Sequence, residues 1–183
     1  MNSVPFTMRL FGLLAVVSLT SIAEAKESDC PRAGTLGTSR VLAVDAKTYP
    51  HVGLKSFAQT LPLADKEVVL TFDDGPLPAT TSKILAALAR ECVRATFFLI
   101  GRSAEANPQV VQRIADAGHS IGHHTWSHPI LSKISPAAAL KDIDRGLEAD
   151  KLALHAATKG DASARFFRFP GFASTPSLLE TLK

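Results

Sequence analysis

Several polar residues of this chain are of the types that carry hydrolytic chemistry, and they fall into three short clusters. Asp73 and Asp74 are adjacent in the motif TFDDGP, four of the six histidines lie between residues 119 and 128, and Arg168 opens the motif RFPG. Adjacent carboxylates repel each other and persist most easily where a metal ion takes one of them and an arginine or a proton takes the other. Taken alone, Asp-Gly-Pro is also favourable turn chemistry.

The histidine cluster adds a spacing that suits a metal ion. His124 and His128 are four residues apart, so two imidazoles can meet one ion from a helical turn or a tight loop. Such a pair, by itself, is equally compatible with surface or core histidines. Two histidines and one aspartate would supply three protein ligands and leave positions open for water and substrate, as in hydrolytic metal sites. Together the clusters predict a metal-assisted hydrolase more strongly than any one of them does.

The elements that must position these clusters follow from the hydrophobic pattern. Nearly all-apolar strands alternate with helical stretches, which predicts an α/β fold with a parallel sheet covered on its faces. Each polar cluster follows a predicted strand, at the carboxyl edge where α/β proteins gather their catalytic groups. The count of about five strands falls short of the eight in a closed barrel. The predicted strands are residues 39–45, 67–72, 95–100, 119–123 and 165–169, and the predicted helices are residues 80–92, 108–117, 136–156 and a piece from residue 175.

These motifs resemble those of a known enzyme family. TFDDGP, then HTWSHP about fifty residues later, then Arg-x-Pro after a strand, resemble the polysaccharide deacetylases of carbohydrate esterase family four, which include the nodulation-type chitooligosaccharide deacetylases. The resemblance covers residues 67–183. It implies an incomplete, distorted (β/α) barrel and a metal-dependent hydrolase that removes acetyl groups from chitin, chito-oligomers, peptidoglycan or xylan.

The resemblance also implies a role for each residue of the clusters. The implied ligands of a divalent ion, usually zinc, are Asp74, His124 and His128. Asp73 would be the general base for the attacking water, Arg168 would hold it ionised and oriented, and the backbone N–H of Gly171 would stabilise the oxyanion. Elementary chemistry agrees with this division, because a divalent ion lowers the pKa of its bound water to about 7 and a base must lie within hydrogen-bond reach.

The chain departs from the family pattern near Arg168. The family has Arg-x-Pro-Tyr-Gly where this chain reads RFPGF, which puts an aromatic wall of the acetyl pocket in question. The family's catalytic acid is a histidine in a Leu-x-His motif, oriented by an acidic motif, and both follow the arginine. Only 13 residues follow Pro170 here. We therefore expect a C-terminally truncated domain that deacetylates at least ~100-fold more slowly than an extended version.

Two aromatic side chains of the second motif have open roles. His123 stands where the family commonly has asparagine. We interpret it as a supporting or structural residue, with a role as an alternative metal ligand left open. Trp126 either packs the loop or binds sugar, and we favour packing.

The first 25 residues predict a secretory signal peptide. Arg9 is followed by an apolar run over residues 10–22 and by Ala-Glu-Ala, the form that signal peptidase cuts. The run is shorter than the about 20 residues that span a bilayer, although an uncleaved anchor is the alternative. The predicted organisation is a signal peptide at 1–25, an extension with one strand at 26–66, and a partial deacetylase domain at 67–183. The predicted location is secreted or periplasmic, with no membrane attachment after cleavage.

The cysteines and the charges narrow the choice of partners. An oxidising compartment permits a bridge between Cys30 and Cys92, while a buried free thiol is as compatible with the pattern. The 20 basic and 17 acidic residues are scattered rather than arranged in a basic stripe, which argues against a nucleic-acid partner. The predicted partner is an acetylated oligo- or polysaccharide, and the sequence does not choose which glycan or which oligomeric state.

Two other functions remain open at this point. One is a truncated, inactive homologue that binds metal or glycan without turnover. The other, a metal-independent amidohydrolase on the same fold, is weaker because Asp74, His124 and His128 are all intact.

Overall fold

The computed structural model describes residues 30–155 and 166–182, so the predicted signal peptide lies outside the described residues. A parallel sheet stands at the centre, in the order β1-β2-β3. Its strands are β1 (Thr71–Gly75), β2 (Thr96–Leu99) and β3 (Ser120–His123). Beside β3, Phe167 forms a single parallel bridge with His123. The predicted α/β class with a parallel sheet is confirmed.

In the described residues five helices accompany the sheet, and four of them begin with a proline, whose missing N–H is not needed there. They are α1 (Pro78–Glu91), α2 (Gly101–Ala106), α3 (Pro108–Asp116), α4 (Pro136–His155) and α5 (Pro176–Thr181), with 3₁₀ turns at Leu131–Lys133 and Pro170–Phe172. The apolar pattern does not predict α2, because its six residues are too few to show a helical period.

Two clusters of buried side chains hold the layers together. The larger one joins Phe97 and Leu99 of β2 to Val111 and Ile114 of α3 and to Leu88 of α1. The smaller one lies between α4, α5 and the turns that precede them, and its buried members are Leu131, Ala139, Ile143, Phe169 and Leu178. Because the two clusters pack around the sheet, the carboxyl ends of its strands are held in a fixed arrangement.

Three predicted strands need correction. Residues 39–45 form no strand: Val41 is 78% exposed, and Arg40 is held by its side chain, with Nε 2.6 Å from Glu67 Oε1. The strand predicted at 67–72 begins at Thr71 and runs on to Gly75, while residues 68–70 lie exposed ahead of it. The strand predicted at 165–169 is a single bridge within the described residues. The sheet of the described chain thus has three strands and one bridge instead of five strands.

A disulfide between Cys30 and Cys92 decides between the two alternatives for the cysteines. Cys92 ends α1 in the left-handed conformation (φ 55°), and the bridge therefore ties the N-terminal extension to the end of that helix. Arg32 adds to the attachment by donating to the carbonyls of Ala89 and Arg90.

In the part of the chain that the structure describes, no helix is both long and apolar enough to cross a bilayer.

Candidate metal and catalytic site

The two carboxylates are presented by a bulge at the end of β1. Phe72 pairs with Phe97 and Gly75 with Leu99, so three steps along β1 match two steps along β2. The extra residue falls at Asp73–Asp74, and Asp74 has a left-handed backbone (φ 68°). A bulge re-aims side chains locally. It is the local reason why two adjacent aspartates reach different partners.

The two histidines follow β3 in a tight loop, the histidine loop (residues 124–128). The backbone N–H of His124 donates to the carbonyl of Leu99 on β2 (2.9 Å), and that of His128 donates to Thr125 Oγ1 (3.0 Å). Thr125 and His128 both have left-handed backbones, at φ 65° and 62°, a conformation that costs a residue with a side chain roughly 1–2 kcal/mol. The loop is a strained segment held by its surroundings.

Asp74, His124 and His128 converge at one point. Asp74 Oδ1 lies 3.6 Å from His124 Nε2 and 3.2 Å from His128 Nε2, and one ligand atom from each residue falls within 4.8 Å of the others. The two imidazole rings meet edge to face with centroids 4.8 Å apart. The structure therefore brings together the three ligands that the resemblance implied.

Hydrogen bonding fixes which nitrogen of His124 faces the cluster. Its Nδ1 lies 2.7 Å from the carbonyl oxygen of Arg168. A carbonyl can only accept, so Nδ1 carries the proton and Nε2 offers a lone pair toward Asp74. Burial is the main cause that lowers the pKa of His124, and the nearby His128 lowers it too. The Arg168 carbonyl and the two carboxylates act in the opposite direction on this pKa. The neutral imidazole is the form that binds metals.

This donor set fits a tetrahedral divalent ion. Zinc binds imidazole nitrogen and carboxylate oxygen at about 2.0–2.2 Å, which places two tetrahedral ligand atoms about 3.3–3.6 Å apart. The two distances from Asp74 Oδ1, 3.2 and 3.6 Å, are close to that spacing, and all three ligand atoms lie within 4.8 Å of one another. Two nitrogens and one oxygen also leave a position open, as catalytic zinc sites require.

Asp73 is held apart from this cluster by Arg168. Arg168 Nη1 donates to Asp73 Oδ1 (2.6 Å) and to Thr71 Oγ1 (3.0 Å), and the guanidinium stands 4.0 Å from the centroid of the Phe98 ring. Both charged side chains are about three-quarters buried, with 23% and 27% exposed. A guanidinium fixed on three sides orients the Asp73 carboxylate.

Gly171 lies next to Ile130, two residues after His128. It has φ 61°, and a Cβ there would lie 2.9 Å from Ile130 Cδ1. Its role at an oxyanion stays a prediction.

Trp126 is packed between two helices. Arg145 of α4 stacks on its ring at 3.3 Å, and its Nε1 donates to Glu105 of α2 (3.2 Å).

His123 points into the protein, away from a ligand role. Its Nδ1 lies 2.7 Å from Asp150 Oδ2 of α4, and the two residues are 3% and 0% exposed. Burial raises the pKa of Asp150 to about 6, with His123 opposing that effect. The interpretation of His123 as a supporting residue agrees with this contact.

Sequence reasoning missed two residues that hold the site. Asp142 of α4 accepts hydrogen bonds from the histidine loop. Thr71 accepts a hydrogen bond from the Arg168 nitrogen that also donates to Asp73. Thr71 stands in the TFDDGP motif, which offered a signal. Asp142 offered none, because it is one of several acidic residues on a long amphipathic helix.

A parallel α/β sheet with two imidazoles, one carboxylate and an adjacent arginine-held carboxylate at its carboxyl edge is the arrangement of a metal-assisted hydrolase. The sequence profile of the polysaccharide deacetylase family matches residues 61–183. The match covers two thirds of the chain, and the chain belongs to this family.

Individual proteins that resemble this chain are also named as deacetylases. The chain is similar to the peptidoglycan-N-acetylglucosamine deacetylase of Bacillus cereus, 51% identical over 80 residues that are 44% of this chain and 29% of the relative. It is similar to a chitooligosaccharide deacetylase of Sinorhizobium fredii, 41% identical over 103 residues that are 56% of this chain and 46% of the relative. Among solved structures it is similar to peptidoglycan deacetylase PdaC from Bacillus subtilis, with a TM-score of 0.58 and 33% identity over 63% of this chain and 54% of that one.

The chain spans about half or less of the length of these relatives. The expected deacetylase fold is confirmed over the matched region.

Proposed function

We propose that this protein is a metal-dependent deacetylase that removes N-acetyl groups from a chito-oligosaccharide or a related cell-wall polysaccharide. One observation carries the proposal: three ligand atoms of Asp74, His124 and His128 converge within 4.8 Å while Asp73, the next residue along β1, is held by Arg168 at 2.6 Å. A lone metal cluster would serve binding as well as catalysis. The second, separately oriented carboxylate is what hydrolysis needs in addition.

Asp74, His124 and His128 would hold the ion, for which zinc is the proposed identity. When bound, a divalent ion makes water acidic near neutral pH and polarises the carbonyl that is attacked. The protein itself orients the ring of His124, because its protonated Nδ1 donates to the Arg168 carbonyl. Arg168 thus serves the metal site with its backbone and Asp73 with its side chain.

Asp73 would accept the proton of the water that attacks the acetyl carbon. Arg168 Nη1 donates to Asp73 Oδ1, and the second oxygen, Oδ2, would take the proton. The negative charge of Asp73 is also close enough to raise the pKa of His124, so the base and the ligand share one site. The proposed nucleophile, an activated water, needs no serine or cysteine.

Support for the substrate class comes from the relatives rather than from a pocket. Two of them are a peptidoglycan deacetylase and a chitooligosaccharide deacetylase, and both names denote N-acetylated sugars. A secreted or periplasmic location is part of the proposal, because the disulfide between Cys30 and Cys92 suits an oxidising compartment.

Acetate release from an N-acetylglucosamine oligomer tests this function. The full chain is assayed after chelation and again after zinc is added back. We expect release only with the metal present. A chain that binds zinc and releases no acetate from chito-oligomers or peptidoglycan fragments would contradict the proposal and favour a protein that binds without turnover.

A further inference from the structure

The strained histidine loop is bound on one side by α2, whose Gly101 and Arg102 N–H groups donate to the carbonyls of Thr125 and Trp126, and on the other side by one side chain of α4. Asp142 Oδ1 accepts hydrogen bonds from the backbone N–H groups of Trp126 (2.9 Å) and Ser127 (3.0 Å), and Asp142 Oδ2 accepts from the Ser127 hydroxyl (2.5 Å). The main-chain carbonyl of Asp142 also lies 3.1 Å from the Trp126 nitrogen. A single carboxylate therefore gathers three donors from the residues just ahead of His128.

The position of Asp142 depends on a close approach between α4 and the loop. Gly146, one turn further along α4, has no room for a side chain: a Cβ would lie 2.5 Å from the carbonyl carbon of Thr125. Asp150, a further turn along, contacts His123. Residues four apart lie on one face of a helix, so one stripe of α4 contacts the segment from His123 to Ser127.

The loop needs such support because its ligand geometry is strained. Thr125 and His128 both adopt left-handed backbones, which residues with side chains avoid unless the surroundings impose them. His128 is attached to Thr125 through its own N–H, and its side chain is 32% exposed. Its direction therefore depends on the backbone that Asp142 helps to hold.

We propose that Asp142 is a positioning residue that sets the affinity and geometry of the metal site through the loop from Thr125 to His128. The inference rests on the proposed function in one respect, that Asp74, His124 and His128 bind a divalent ion. The carboxylate suits this position because its two oxygens accept from all three donors at once. Truncating it to alanine leaves the backbone N–H groups of Trp126 and Ser127 without this acceptor.

The test compares Asp142→Ala with Asp144→Ala, a change of the same kind on an exposed position of α4. Zinc affinity is measured by titration of each full chain, and Co²⁺ serves as a probe whose visible absorption reports ligand geometry. We expect Asp142→Ala to bind zinc about 10- to 100-fold more weakly with an altered Co²⁺ spectrum. Asp144→Ala should match the unmodified chain, and Asp142→Glu should recover part of the affinity.

The outcomes separate this inference from the proposed function. Failure of the unmodified chain to bind zinc or Co²⁺ would overturn the metal site itself. Normal zinc affinity and a normal Co²⁺ spectrum in Asp142→Ala would overturn the role of Asp142 alone. If Asp142→Ala does not fold, Ser127→Ala takes its place, with a loss of roughly 2- to 10-fold expected and unchanged affinity as the contradicting result.

Discussion

The two halves of the site differ in how they are supported. The histidine half is enclosed: the His124 side chain is 3% exposed, and α2 and α4 both donate or accept hydrogen bonds along the loop. The aspartate half stands at the sheet edge, where the Asp74 side chain is 62% exposed. The difference shows that the His124 imidazole is preorganised by packing, whereas Asp74 owes its position to the backbone of the β1 bulge. Changes in the two halves should therefore have different consequences.

The largest expected effect is the loss of a ligand from the enclosed half. His124→Ala removes the nitrogen that the Arg168 carbonyl orients, and we expect zinc affinity to fall by more than ~100-fold, beyond the range of changes to supporting residues. Titration of the purified chain measures it. His51→Ala serves as the control, because His51 stacks on Phe57 in the N-terminal extension. Equal metal loss in both variants would break the ligand assignment.

The packing of the histidine half can be tested without touching a ligand. Gly146→Ala places a methyl group 2.5 Å from the Thr125 carbonyl carbon, so α4 must move away. We expect the free energy of unfolding to fall by about 1–3 kcal/mol, although alanine favours helices by up to about 1 kcal/mol. Denaturant unfolding checks this. The exposed change Lys141→Ala on the same helix should stay within about 0.5 kcal/mol, and a stabilised Gly146→Ala would show that α4 does not support the loop.

The smallest effect on the fold is expected just ahead of β1. Val68 is 82% exposed and Val69 is 44% exposed, and in the described residues the strand that follows them, β1, pairs on one side only, with β2. An exposed apolar segment that leads into an unpaired strand edge favours association. Val68→Lys should leave stability within about 0.5 kcal/mol and reduce concentration-dependent oligomers in size-exclusion chromatography. A monodisperse unmodified chain would contradict this prediction.

The sequence allowed the chemistry to be predicted further than the framework. Asp74, His124 and His128 were identified from residue types and motifs, and the structure brings them together. The bulge at Asp73–Asp74 was not predictable, because it arises from a register difference with β2 that local sequence does not show. The strand at residues 39–45 was wrong because an apolar run forms a strand only where a neighbouring backbone offers partners. Asp142 was missed for a similar reason, since its partners lie 15 and 16 residues away.

The most direct test of the account compares the two adjacent carboxylates in otherwise identical chains. Asp73→Asn and Asp74→Asn are each measured for zinc content and for acetate release from an N-acetylglucosamine oligomer. We expect Asp73→Asn to keep its zinc and to lose at least ~100-fold of the activity, the scale of general-base catalysis. Asp74→Asn should lose both. An Asp73→Asn protein without zinc, or an Asp74→Asn protein with its full zinc content, would contradict the assignment of base and ligand.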